Sequence, residues 1–164
     1  MKAIVVYESK WGNTAAVAKA IAGGLGPDAS VMTTDEATPA AIAGADLIVA
    51  GSPLLGFALP TEAMLDSIAK DAKNPPAAPD ASHRTMRSWL ADLPSGSGRG
   101  ASFETRIWWS PGSAAKAILK ELEAAGYKTA DEPQKFIVTG RVGPLKDGEL
   151  DRARQWGATL ALKA

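Results

Sequence analysis

Cysteine is absent from this chain, and histidine occurs once. The lack of thiols excludes disulfides, iron–sulfur clusters, thiol catalysis and a thiolate zinc site. A single imidazole leaves a histidine-rich metal centre without ligands, and no spaced acidic cluster suggests an all-carboxylate Mg or Ca site. A charge excess is missing too: Lys+Arg and Asp+Glu are both 18. That balance argues against nucleic-acid binding by bulk charge. No stretch approaches the roughly 18 apolar residues of a membrane span. Lys2 is followed by only a five-residue apolar run, Ala3 to Tyr7, which is short for a signal sequence. The expectation is a cytoplasmic protein with neither nucleic acid nor membrane among its partners.

What is present is an ordinary globular composition, 46% apolar and 22% charged over 164 residues, expected to form one domain over residues 1–164. Apolar runs alternate with helical patterns. Strands are predicted at Ala3–Tyr7, Ala29–Thr33, Asp46–Gly51, Ala101–Thr105 and Lys135–Gly140. Helices are predicted at Thr14–Leu25, Pro39–Ala43, Thr61–Lys70, His83–Leu93, Ser113–Ala125 and Leu150–Leu162, several with apolar residues recurring on one face. Asp71–Ser82 holds three prolines and reads as a loop, within which Lys73–Asp80 is a candidate lid or interface. Strands apolar on both faces and alternating with helices imply an α/β fold: a parallel sheet between two helical layers.

In such a sheet, ligands gather at the carboxyl ends of the strands. The first strand ends in Ser9-Lys10-Trp11-Gly12-Asn13-Thr14, and a helix starts there. A helix start offers free backbone N–H groups and the positive end of a dipole, which suit an anion. Ser9, Asn13 and Thr14 add hydrogen-bonding side chains, Lys10 adds charge, and Gly12 permits close approach. The alternative is a plain helix start capped by Asn13 or Thr14. Neither G-x-x-x-x-G-K-[ST] nor G-x-G-x-x-G occurs. Ser113-Ala114-Ala115-Lys116 matches S-x-x-K, but the companion motifs are missing and Ser113 reads as a helix cap. The lone His83 reads as a solvated side chain, and Gly140–Leu145 as a turn near the site edge.

Ser9 to Thr14, placed between strand and helix, resembles the phosphate loop of the flavodoxin family. The resemblance extends over "KAIVVYESKWGNTAAVAKAIA", "ADLIVAGSPLLG" and the final strand and helix. It implies a three-layer sandwich with a five-stranded parallel sheet in the order 2-1-3-4-5, and an FMN cofactor with its phosphate on Ser9–Thr14. Two further loops would hold the flavin ring. The first is Ser52-Pro53-Leu54-Leu55-Gly56-Phe57, whose apolar members are otherwise rim residues packing on the next helix. The second is Glu104-Thr105-Arg106-Ile107 with Trp108 and Trp109, either of which could stack on the ring. This second loop departs from the family's glycine-rich, acidic pattern. Arg106 beside the ring would raise its reduction potential; alternatively it forms a surface salt bridge with Glu104 or another acid. The resemblance implies an electron-transfer protein working with a redox partner protein or a small-molecule electron acceptor. The alternatives are an FMN-dependent NAD(P)H:quinone-type reductase, with residues 71–100 as the room for an insertion, and a flavin-free binding module.

Overall fold

The structure is a computed structural model, and it describes residues 1–71 and 78–163. The part of the proline-rich stretch at 72–77, and with it most of the candidate lid, lies outside the described residues.

Among the described residues twelve elements follow one another: β1 (Ala3–Tyr7), α1 (Asn13–Leu25), β2 (Ser30–Thr33), α2 (Pro39–Ile42), β3 (Leu47–Pro53), α3 (Glu62–Asp71), α4 (Met86–Ala91), β4 (Arg99–Ile107), α5 (Ala114–Ala124), β5 (Lys128–Thr129), β6 (Gln134–Val138) and α6 (Glu149–Lys163). All strand pairs are parallel, in the order β2-β1-β3-β4-β5, with β6 also pairing β4. The implied order is therefore present, with one refinement. The fifth position is filled by two segments, β5 beside the start of β4 and β6 beside its end.

Strand alternation sorts the core into two layers. Ala3, Val5, Leu47, Val49, Ala101 and Phe103 pack with α1 and α6 through Val17, Ile21, Trp156 and Leu160. Ile4, Val6, Ile48 and Ala50 pack on the other face with Ile42, Met86, Trp89, Ile118 and Leu122. Among the described residues no helix is long and apolar enough to cross a membrane.

The sequence places β4 too short. It runs from Arg99 and continues past Thr105 through Arg106 to Ile107, because β6 pairs with it as far as Ile107. Glu104, Thr105 and Arg106 are thus strand residues rather than loop residues, and the connecting loop begins at Trp108.

Helices α1 and α6 touch backbone to backbone. A Cβ on Gly157 would stand 2.1 Å from the Ile21 carbonyl oxygen, and one on Gly24 would stand 1.9 Å from that of Arg154. Gly157→Ala therefore has to push the helices apart, at about 1–3 kcal/mol, which outweighs the gain of about 1 kcal/mol from replacing a helical glycine. Urea unfolding of this variant is expected to show a lower midpoint at an unchanged slope; a raised midpoint would refute the close crossing.

Candidate functional site

The carboxyl ends of β1, β3 and β4 carry two buried carboxylates on one face of the sheet. Glu8 follows β1 and extends its ladder, its N–H donating to the Gly51 carbonyl at 3.0 Å. Its Oε1 accepts from the Met86 N–H at 2.8 Å and from Ser52 Oγ at 3.4 Å. Its Oε2 lies 3.1 Å from Lys10 Nζ, an ion pair that lacks hydrogen-bond alignment. Glu104 repeats the arrangement on β4. Its Oε2 accepts from the Ala115 N–H at 2.8 Å and from Ser113 Oγ at 3.1 Å, and its Oε1 accepts from Arg106 Nη1 at 2.9 Å. Both carboxylates are fully buried, and each takes an amide at a helix start, where the dipole favours a negative charge. Each is followed two residues later by its cation; Glu104 and Arg106 share a face of β4, as residues i and i+2 of a strand do.

These pairs redirect three of the expected site residues. Lys10 is turned inward, donating from Nζ to the Asp80 carbonyl at 3.0 Å as well as pairing with Glu8. Ser52 Oγ donates to Glu8 and to the Pro53 carbonyl, not toward open space. Arg106 is joined to Glu104 as one alternative had it, but inside the protein, with Nη1 also donating to the Gly112 carbonyl at 3.0 Å. Its charge is neutralised within 3 Å, so it faces the site as half of a pair and not as an isolated cation. Ser113 caps α5, accepting from the Lys116 N–H at 3.2 Å.

The opposite alternation serves the first helix. Ser9 Oγ accepts from the Gly12 and Ala15 N–H groups, both at 3.2 Å. Gly12, at φ +91°, is the N-cap residue of α1. Neither Asn13 nor Thr14 caps it. Asn13 Nδ2 donates to the Val142 carbonyl at 2.8 Å, and Thr14 Oγ1 pairs with Thr105 Oγ1 at 2.8 Å. The backbone N–H groups of Asn13 and Thr14 have no hydrogen-bond partner among the described residues.

Beside that helix start opens a cavity of about 290 Å³. Lys10, Trp11, Asn13 and Thr14 bound one end. Pro53, Leu54, Leu55, Gly56 and Phe57 form one wall, and Thr105, Arg106, Ile107, Trp109 and Ser110 the other. Val138 and Arg141 close the side next to β6. Ser9, Gly12, Ser52, Glu104 and Trp108 do not line it. Phe57 and Trp109 are each 63% exposed, and Trp108 is 75% exposed. Phe57 has a positive φ of 71°, unusual for a bulky residue and concentrated at binding sites. Of the adjacent tryptophans, Trp109 lines the cavity and Trp108 does not.

Ser110 and Val138 were not among the expected residues, and Arg141 belongs to the Gly140–Leu145 turn expected near the site edge. His83 was read as solvated. Its Nε2 in fact accepts from the Ser9 N–H at 3.1 Å, and its ring stands edge-on to Tyr7 at 6.3 Å. Burial, with Glu36 and Asp80 nearby, pushes the Tyr7 phenol above its ordinary range. Hydrogen bonds from the Ser82 hydroxyl and amide hold Asp80 below its own.

No family model and no curated protein matches the chain. Solved structures do. An archaeal flavodoxin superposes with a TM-score of 0.69 at 24% identity, covering 99% of this chain and 98% of its own. Flavodoxin 2 from Bacillus cereus gives 0.70 at 16% identity over the whole of both chains. A flavodiiron core from Synechocystis gives 0.66 at 20% identity, matching 99% of this chain but 35% of its own.

Removing one partner from a buried pair strands the other charge. Glu104→Ala is expected to cost about 3–5 kcal/mol in chemical denaturation, with Glu104→Ala/Arg106→Met recovering part of the loss. A double variant as unstable as the single one would show that the pair is not the cause. On this geometry, sheet order and cavity position, the chain has the flavodoxin fold.

Proposed function

We propose that this chain is a cytoplasmic FMN-binding electron carrier. The observation that carries the reading is one cavity joining two chemistries: free N–H groups at the start of α1, and an apolar slot with aromatic side chains at its mouth. Asn13 and Thr14 would hold the phosphate, with Gly12 keeping the approach open. Pro53, Leu54, Leu55, Ile107 and Val138 would line the ring, and Phe57 and Trp109 would cover it. The residues present fit the group, since an anion needs donors and a flat heterocycle needs apolar walls. When bound, FMN supplies the redox chemistry, which no side chain here provides.

The chain's own part is to bind, orient and partly shield. Carrying electrons calls for no general acid or base at the cavity. The two nearby carboxylates are buried and spoken for by cations and helix amides. The exposed Phe57, Trp108 and Trp109 leave the mouth open to a redox partner protein or a small-molecule acceptor. Likeness to solved flavodoxins supports this reading through the fold alone. A reductase would need a further wall for a nicotinamide or quinone. Residues 78–85 supply none: they run along the Ser9–Lys10 loop and line no part of the cavity.

Incubation with excess FMN followed by desalting is expected to leave a yellow protein with quenched flavin fluorescence and little NAD(P)H oxidation in the presence of quinone. Trp109→Ala should weaken FMN binding by about tenfold, and Trp108→Ala should leave it nearly unchanged. A colourless wild-type protein, or equal losses in the two variants, would contradict this assignment.

A further inference from the structure

The turn after β6 brings to the cavity a charge that nothing there offsets. Lys10, Arg106 and Arg141 are the cations lining the cavity, and among the described residues no carboxylate lines it. Lys10 is paired with Glu8, and Arg106 with Glu104. The Arg141 side chain makes no ion pair and no hydrogen bond among the described residues. A closed turn places it. The Gly143 N–H donates to the Gly140 carbonyl at 3.0 Å, so Arg141 and Val142 are the two central residues. The Thr139 N–H donates to the Pro144 carbonyl at 2.9 Å, and the Lys146 N–H to the Ile137 carbonyl at 2.8 Å, which closes the base. The tip rests on the first residue of α1, where Asn13 Nδ2 donates to the Val142 carbonyl at 2.8 Å. A Cβ on Gly143 would stand 2.6 Å from Asn13 Nδ2 and Oδ1, so this approach needs a glycine. Arg141 is thus held one residue from the contact with Asn13, whose own N–H is free to receive an anion.

The charges do not balance without it. A helix start carries the equivalent of about half a positive charge. A phosphate monoester carries about −1.5 to −2 near neutral pH. The loop's own lysine is already spent on Glu8, so free amides alone would leave most of that charge uncompensated between apolar walls. We propose that Arg141 is the counter-charge of the seat and makes it select a phosphorylated flavin over the unphosphorylated one. A guanidinium stays protonated at any working pH, and its fork of donors matches two phosphate oxygens. This rests on the FMN reading and adds to it the source of its selectivity, a side chain outside the Ser9–Thr14 loop.

FMN and riboflavin, which lacks the phosphate, are titrated into the wild type, Arg141→Met and Arg141→Lys. Arg141→Met keeps the length and apolar stem of the side chain without its charge. Arg141 is exposed and unpartnered, so urea midpoints should be alike in all three proteins. Arg141→Met is expected to lose about tenfold in FMN affinity, the share of one charge-assisted hydrogen bond, with riboflavin affinity unchanged. Arg141→Lys, which keeps the charge but not the fork, should fall between. Raising salt from about 0.05 M to about 0.5 M should shrink the wild-type advantage for FMN. Equal losses for both flavins would place Arg141 at the ring and overturn the proposal, as would no loss for either or an advantage that ignores salt. If neither flavin binds any of the proteins, the FMN reading fails and inorganic phosphate decides the role of the cation. Phosphate-induced shifts of the Asn13 and Thr14 amides that are lost in Arg141→Met keep it as the counter-charge of an anion seat. The same response in both proteins, or none in either, overturns it.

Discussion

Two negative charges hidden at the ends of central strands govern the whole carboxyl edge. Glu8 and Glu104 are buried completely, and an uncompensated carboxylate there would cost several kcal/mol. Compensation comes from two directions at once, a cation two residues onward and an amide at a helix start. Met86 and Ala115 are those amides, so the placements of α4 and α5 are tied to the same two carboxylates. The pairs also decide what faces the ligand. Because side chains alternate, Lys10 and Arg106 share a face with the acids, whereas Ser9 and Thr105 point to the other side. There Ser9 organises the first turn of α1, and Thr105 meets Thr14. One strand alternation thus separates scaffold from seat.

This arrangement explains why the seat is built from backbone and apolar surface, not from side-chain charge. Lys10, the one cation within the loop, is engaged with Glu8 and Asp80. What remains for an anion within the loop is the helix start itself, with the N–H groups of Asn13 and Thr14. At the other end of the cavity, hydrophobic walls and an aromatic rim replace the acidic surroundings that the flavodoxin resemblance implies. Arg141 lines the side next to β6, one residue before the Val142 carbonyl that Asn13 holds. Such a mouth would select its redox partner by apolar contact more than by long-range steering, consistent with a net charge of zero.

Much of the fold was legible because its signals are local. The uninterrupted Ala3–Tyr7 run and the 3.6-residue periodicity of Ala115, Ile118, Leu119 and Leu122 each mark one element without reference to any other. The end of β4 beyond Thr105 was not legible, because Arg106 looks like a loop residue until it is seen to neutralise Glu104 inside the protein. The division of the sheet edge into β5 and β6 is likewise a matter of which residues find a partner along β4. At the site, the loop from Ser9 to Thr14 could be read from its residue types, but the inward turn of Lys10 could not, since it depends on Glu8 and on Asp80, seventy residues away. His83 escaped for the same reason: nothing in its neighbours in sequence points to Ser9. The choice between Trp108 and Trp109 turned on where an extended strand ends, to within one residue.

The central claim is that the amides opening α1 receive a phosphate while the neighbouring slot receives a flavin ring. The most direct measurement is an amide and indole proton–nitrogen spectrum of the labelled chain, recorded during titration with FMN and, separately, with riboflavin. The account predicts that FMN shifts the Asn13 and Thr14 amides together with the Trp109 indole, and that riboflavin shifts the indole but leaves those two amides in place. Shifts of the indole alone with both ligands, or none with either, would contradict it.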